Sequence, residues 1–247
     1  MKYVKHVIAS AFAALIVTSG ALHAWDEKRG EHGDKQGKQE KHDDQGEHKG
    51  QGKKEDRAVL HAQRWSYPLD TCPISGEKLD KKSIEFVVQG RMVRTCCEKC
   101  EAQVMKDPTE AFKKLDAAVI AAQKANYPLK TCAVTDAALD DKAVDFVWGT
   151  RLVRLANREA VATFQKDPAR VMAKVDEAYM KAQRTAYPMK TCLVSGEELG
   201  KMGEPVEKLY GTTLVRFCCN NCVKDFEKDS DKFLKQLAEA RAKAGGK

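Results

Sequence analysis

The stretch Tyr67-Pro68-Leu69-Asp70-Thr71-Cys72-Pro73-Ile74-Ser75-Gly76 decides how this 247-residue chain is organised, because it returns twice. It reappears as Tyr127-Pro128-Leu129-Lys130-Thr131-Cys132-Ala133-Val134-Thr135-Asp136 and as Tyr187-Pro188-Met189-Lys190-Thr191-Cys192-Leu193-Val194-Ser195-Gly196, each time 60 residues further on. Gln63, Gln123 and Gln183 keep the same interval just upstream. Periodicity of this length marks an array of similar small units rather than one large domain. The units cover 58–126, 127–186 and 187–247.

Each unit reads alike. The first cysteine sits on a turn whose last residue, Gly76, Asp136 or Gly196, tolerates left-handed backbone. A β-rich segment with an internal turn follows: Ile84 to Arg94 around Gln89-Gly90, Val144 to Arg154 around Gly149-Thr150, and Val206 to Arg216 around Gly211-Thr212. These predict hairpins. Next comes a short helix carrying Cys96 to Met105, Ala156 to Gln165 or Cys218 to Glu227. Asp107-Pro108 and Asp167-Pro168 then read as a cap with proline in the first helical turn, Glu110 completing a capping box. The second helix shows Phe112, Leu115, Val119 and Ala122 on one face and stops before Pro128. From Pro108 to Asn126 it would span about 28 Å and serve as a semi-rigid spacer between units.

Eight of the nine cysteines form two sets with one pattern. Cys72 is followed by Cys96, Cys97 and Cys100; Cys192 by Cys218, Cys219 and Cys222. A helix start favours thiolate over thiol, because its free amides and dipole stabilise negative charge. Cysteines four apart share a helix face and reach one ion, and those three apart have the spacing of many zinc sites. In the middle unit, 60 residues on from Cys96, Cys97 and Cys100 stand Ala156, Asn157 and Ala160, so that unit is expected to be metal-free, with Cys132 left alone and buried.

A turn Cys-x-x-Ser-Gly, a hairpin, Cys-x-x-x-Cys at a helix start, Phe226 four residues on (Val104 in the first unit), and Asp-Pro before another helix resemble the TRASH and YHS-like heavy-metal-binding domains of the treble-clef class. The resemblance implies an α+β fold of three tandem treble-clef-like units and a role in trafficking, sensing or resistance of heavy metals. It implies ligands at Cys72, Cys96 and Cys100, and at Cys192, Cys218 and Cys222. Ser75 and Ser195 depart from it, standing where many treble clefs place a second turn cysteine. Cys97 and Cys219 could restore four ligands, whereas three thiolates alone suit copper(I) or leave an open position on zinc. The expectation is zinc or copper(I), about one ion in each of units 1 and 3.

The chain opens with a basic start, an uncharged and mostly apolar run from Val7 to Thr18, and small residues at Ala21 and Ala24, the layout of a signal peptide over residues 1–24. Localisation is therefore expected to be periplasmic or secreted, with no membrane span after cleavage. Residues 25–57, almost wholly Gly, Gln, Lys, Glu, Asp and His, predict a disordered tether in which His32, His42 and His48 could capture metal loosely. The net charge of +7 is spread through mixed-sign segments and demands no nucleic acid. No catalytic constellation stands out, which makes the chain a non-enzyme whose partners are a metal ion and another exported protein. Because oxidising compartments favour disulfides, the alternatives are a disulfide- or zinc-stapled interaction scaffold and a thiol-disulfide redox protein. The tyrosines of the Tyr-Pro repeats are expected to be packing anchors, and Arg91, Arg94, Arg151, Arg154 and Arg216 a solvated strand face.

Overall fold

Three hairpins, each followed by a short and a longer helix, make up the α+β architecture of the computed structural model, which describes residues 46–245, with side chains from Lys54 onward. The expected signal peptide, the tether as far as residue 45, and the histidine side chains of the tether lie outside these described residues. Helix α1 (Gly46–Gln63) is followed by strands β1 (Ile84–Val88) and β2 (Arg91–Thr95), then α2 (Glu98–Lys106) and α3 (Thr109–Gln123). The middle unit has β3 (Val144–Trp148), β4 (Arg151–Leu155), α4 (Arg158–Lys166) and α5 (Pro168–Arg184). The third has β5 (Val206–Tyr210), β6 (Thr213–Phe217), α6 (Asn220–Lys228) and α7 (Ser230–Gly245). No described helix is long and apolar enough to cross a membrane.

The hairpins pair in identical register, Ile84 with Thr95, Val144 with Leu155 and Val206 with Phe217, each closed by a two-residue turn. Gln89 and Gly90 both take positive φ, as a type I′ turn requires, whereas only the glycine does so in Gly149-Thr150 and Gly211-Thr212, the pattern of type II′. Asp167 caps α5 by accepting from the Arg170 amide at 3.2 Å. The Asp107 carboxylate accepts from Thr109 at 3.0 Å instead, and among the described residues Glu110 makes no return bond, so the expected capping box is not formed.

One correction concerns the tether. Residues 46–57, expected to be disordered, belong to α1. Val59 and Leu60 are partly buried at its C-terminal end, where α1 packs on β1 and β2. Once that end is fixed, propagation back through Lys53–Arg57 adds one backbone hydrogen bond per residue without a new nucleus.

A second correction concerns the spacer. Helix α3 is shared between two cores: Ala111 and Phe112 pack with Val93 and Val104 of the first unit, while Leu115 and Val119 pack with Leu152 and Val147 of the second. Its end is clamped to the next hairpin by Gln123, whose Nε2 donates to the Thr150 carbonyl (2.8 Å) and whose Oε1 accepts from the Leu152 amide (2.9 Å). Gln63 does the same for Gly90 and Met92, and Gln183 for Thr212 and Leu214. Each glutamine thus occupies an edge amide and carbonyl that a two-stranded sheet otherwise leaves unpaired.

The first and third units also meet. Trp65 packs edge-on against Tyr210, with centroids 5.3 Å apart, and lies against Phe226. A Cβ at Gly211 would come 2.6 Å from the Trp65 carbonyl oxygen, and one at Gly149 2.7 Å from the Gln63 side chain. Ser66 and Thr150 share a hydroxyl hydrogen bond of 2.7 Å, and Arg91 donates to the Gly149 carbonyl. The turns of the second and third hairpins therefore converge on residues 63–66.

The strand arginines are not a solvated face. Arg91 pairs with Asp116, Arg94 with Glu85, Arg151 with Asp176, Arg154 with Asp145 and Arg216 with Glu207. Four of them also lie over the rings of Phe112, Tyr67, Tyr179 and Tyr187. Alternation along the strand places them beside aromatic residues that cover their stems. The repeated tyrosines do act as anchors: the Tyr67 and Tyr187 hydroxyls accept from the amides of Arg94 and Arg216 at 3.0 and 3.1 Å.

Candidate metal centres

Each first cysteine is held on a tight knuckle. The Cys72 amide donates to the Glu77 carbonyl at 2.7 Å, the Gly76 amide returns to the Cys72 carbonyl at 2.9 Å, and Thr71 bridges Lys78. Cys132 and Cys192 repeat these bonds. Gly76 (φ 79°), Asp136 (φ 58°) and Gly196 (φ 76°) take the left-handed backbone that the sequence called for. Lys114 of α3 donates to the Pro73 carbonyl at 2.6 Å and fastens the first knuckle to the helix layer.

The other cysteines come from the junction after the hairpin. Cys96 and Cys218 directly follow β2 and β6, Cys97 and Cys219 are the N-caps of α2 and α6 in extended backbone, and Cys100 and Cys222 are third in those helices. The fold brings three sulfurs together in the first and third units: those of Cys72, Cys96 and Cys100 lie within 4.8 Å of one another, as do those of Cys192, Cys218 and Cys222. Cys96 and Cys100 are 3.8 Å apart, Cys218 and Cys222 3.6 Å. Four thiolates at the usual zinc–sulfur distance stand about 3.8 Å apart along a tetrahedral edge, so these gaps suit a bound ion with little movement. All nine cysteines are free.

Cys97 and Cys219 are placed differently. Cys97 is exposed, its sulfur 3.7 Å from Cys96, and Cys219 is half-buried, 3.8 Å from Cys222. Both stand at the rim, outside the mutually close sets. Ser75 and Ser195, marked in the sequence as replacing a ligand, face the clusters: their hydroxyls lie 3.3 Å from the Cys96 and Cys218 sulfurs and accept from the amides of Glu77 and Glu197. Sequence reasoning treated them only as a gap. The signal that they are hydrogen-bonding partners was their recurrence as Ser75, Thr135 and Ser195.

Electrostatics separate the thiols. Burial alone would push Cys72 and Cys192 up, but the serine hydroxyls and the surrounding backbone amides outweigh it and hold both at about 6. The Ser75 hydroxyl would lower Cys96, but Glu77, burial and the neighbouring thiols together carry it to about 12. Burial pushes Cys100 up, and burial followed by the Cys218 thiol takes Cys222 to about 12. At the rim, the amides of Cys100 and Cys222 lower Cys97 and Cys219. The knuckle cysteine of each cluster is thus the one most readily ionised, and an ion bound there would displace protons from the raised thiols of Cys96, Cys100 and Cys222.

The middle unit keeps the frame and lacks the cluster. Cys132 is fully buried among Ala156, Ala160 and Phe164, so methyl groups fill the space that sulfurs take elsewhere. Asn157 accepts from the Ala160 amide at 2.9 Å, a side-chain cap that Cys97 and Cys219 do not make. Compared with protein-family models, curated proteins and solved structures, the chain matches none.

Proposed function

We propose that this chain is an exported metal-thiolate protein that binds zinc or copper(I), about one ion in each of units 1 and 3, and serves trafficking, buffering or resistance of these metals. The observation that carries the reading is the paired cluster. Three sulfurs converge at the same place in two units, and the same place in the middle unit is packed with alanine. Knuckle, hairpin and helix succeed one another with sulfurs on the knuckle and at the helix start, an order that supports the treble-clef reading. The basic and apolar opening of the sequence supports export.

The middle unit also bears on why metal is bound. It forms the same knuckle, hairpin and helix pair around an apolar core with no cluster at all. A frame that stands without an ion does not need one as a staple, and this favours metal as cargo. The test is metal analysis with thiol counting on chain purified anaerobically from the exported fraction. About two ions per chain, reduced to one by Cys96→Ser or Cys218→Ser, support the reading. A metal-free chain with almost no free thiols overturns it in favour of disulfides.

A further inference from the structure

We infer that Cys97 and Cys219 are transfer ligands, through which the ion passes between each buried three-sulfur cluster and an acceptor that presents thiolates. The inference rests on the metal-binding reading above and names how its sites load and empty.

The geometry divides each set of four cysteines into an inner three and an outer one. Cys72 and Cys100 are buried and Cys96 half-buried, whereas Cys97 is exposed. In the third unit Cys192, Cys218 and Cys222 are all buried, and Cys219 is the most accessible of the four. The rim sulfur is the most accessible of its set in both units, so it is the one an incoming ligand the size of a cysteine side chain meets most readily. The rim sulfur is also within reach of the cluster, at 3.7 Å from Cys96 and 3.8 Å from Cys222. Yet it does not belong to the set whose members all lie within 4.8 Å, so it is not a fixed fourth corner.

Such a sulfur suits associative exchange. Cys97 loses its proton to solvent as its sulfur bonds the ion, and the bond to Cys72, which stands outside the Cys97 contacts, breaks. Cys72 departs with the electron pair of the broken bond, as the free thiolate. The ion is now at the surface, where two acceptor thiolates add in turn as the bonds to Cys96, to Cys100 and last to Cys97 break, and the freed cysteine sulfurs take up protons from solvent. No electron changes hands, and the metal keeps its oxidation state. The middle unit supports this division of labour. Where there is no ion to move, the rim position is given to Asn157, which caps the helix instead.

The test uses the full chain loaded with zinc and the variants Cys97→Asn/Cys219→Asn and Cys97→Ser/Cys219→Ser. Asparagine at this position is what the middle unit already accommodates, so folding is secured by precedent within the molecule. Zinc remaining on the chain is counted after rapid desalting from a small dithiol acceptor or from a carboxylate chelator. The expected result is that both variants still hold two ions, while transfer to the dithiol slows by about tenfold or more and loses its dependence on dithiol concentration. Loss of ions from the variants would make Cys97 and Cys219 structural ligands and overturn the inference; unchanged transfer would make them bystanders and overturn it equally. A wild-type chain that takes up no zinc or copper(I) would fail the metal-binding reading itself.

Discussion

Two substitutions, Ala156→Cys and Ala160→Cys, should give the middle unit the three-sulfur cluster of its neighbours and with it the capacity to hold an ion. Its knuckle already matches that of the first unit, with the Cys132 amide bonded at 2.7 Å and its carbonyl at 2.9 Å, and Thr135 stands where Ser75 supplies a hydroxyl. The helix start matches as well: Asn157 has φ −160° and ψ −179°, against −159° and 166° for Cys97. Ala156 is half-buried and Ala160 is 2% exposed beside Cys132 and Phe164, so two added sulfurs enter occupied space. Overpacking of that kind costs about 1–3 kcal/mol in the apo chain. Ion binding by three converging thiolates offsets that strain once the variant is loaded. The third unit shows that the space suffices, because Phe226 occupies there the place of Phe164 and the cluster still forms. Metal counting on the full chain should rise from about two ions to about three, with Asn157 left unchanged. A folded variant with two more thiols and still two ions would refute the claim that these positions are what the middle unit lacks.

Three further outcomes follow from the geometry. Gln123→Ala leaves the Thr150 carbonyl and the Leu152 amide without partners in a buried setting, and should lower stability in urea by about 2–5 kcal/mol; a change below about 1 kcal/mol would mean the clamp is dispensable. The apo, reduced chain should gain stability as pH rises from about 6 to 9, because Cys72 and Cys192 are held at about 6 when folded against 9.0 ordinarily, so the unfolded chain binds more protons in that window. Above pH 9 the raised Cys96 and Cys222 reverse the sign, since the folded chain then holds the extra protons; denaturant midpoints that are flat or fall between pH 6 and 9 would contradict this. Finally, with Cys96 half-buried and Cys97 exposed, against a buried Cys218 and a half-buried Cys219, the first-unit site should release zinc sooner; chelator time courses on Cys218→Ser and Cys96→Ser, each retaining one site, compare the two directly.

Much of this was legible in the residues because local chemistry dictated it. A two-residue turn with glycine between β-rich runs makes a hairpin wherever it occurs, and a cysteine followed by Ser-Gly or Thr-Asp four residues on makes a knuckle. The convergence of Cys72 with Cys96 and Cys100 was anticipated only through the family resemblance, and hairpin closure is what brings the knuckle and the helix start together. The arginines were misjudged: Arg91 and Arg151 find their ion partners Asp116 and Asp176 25 residues away on the following helices, while Arg94, Arg154 and Arg216 pair across their own hairpins with Glu85, Asp145 and Glu207. The tether was misjudged where its composition gave no sign that Val59 and Leu60 would be held against the first hairpin.

The sequence by itself determined the repeat, the identity of the two units that keep four cysteines and the loss of three of those cysteines from the middle unit, since these depend on which residue stands at a fixed interval. Only the tertiary structure decided that the repeats do not run on as beads on spacers. One helix serves two cores because its apolar face is long enough for Ala111 and Phe112 to pack backward and Leu115 and Val119 forward, while Gln123 closes the next sheet edge. Trp65 reaches the third unit because Gly149 and Gly211 lack the Cβ atoms that would hold the hairpin turns away from residues 63–66. The division of each cysteine set into an inner three and a more accessible outer one is likewise spatial. Adjacent residues such as Cys96 and Cys97 look alike in sequence, but the backbone turns between strand end and helix start and sends one sulfur to the cluster and the other to its rim.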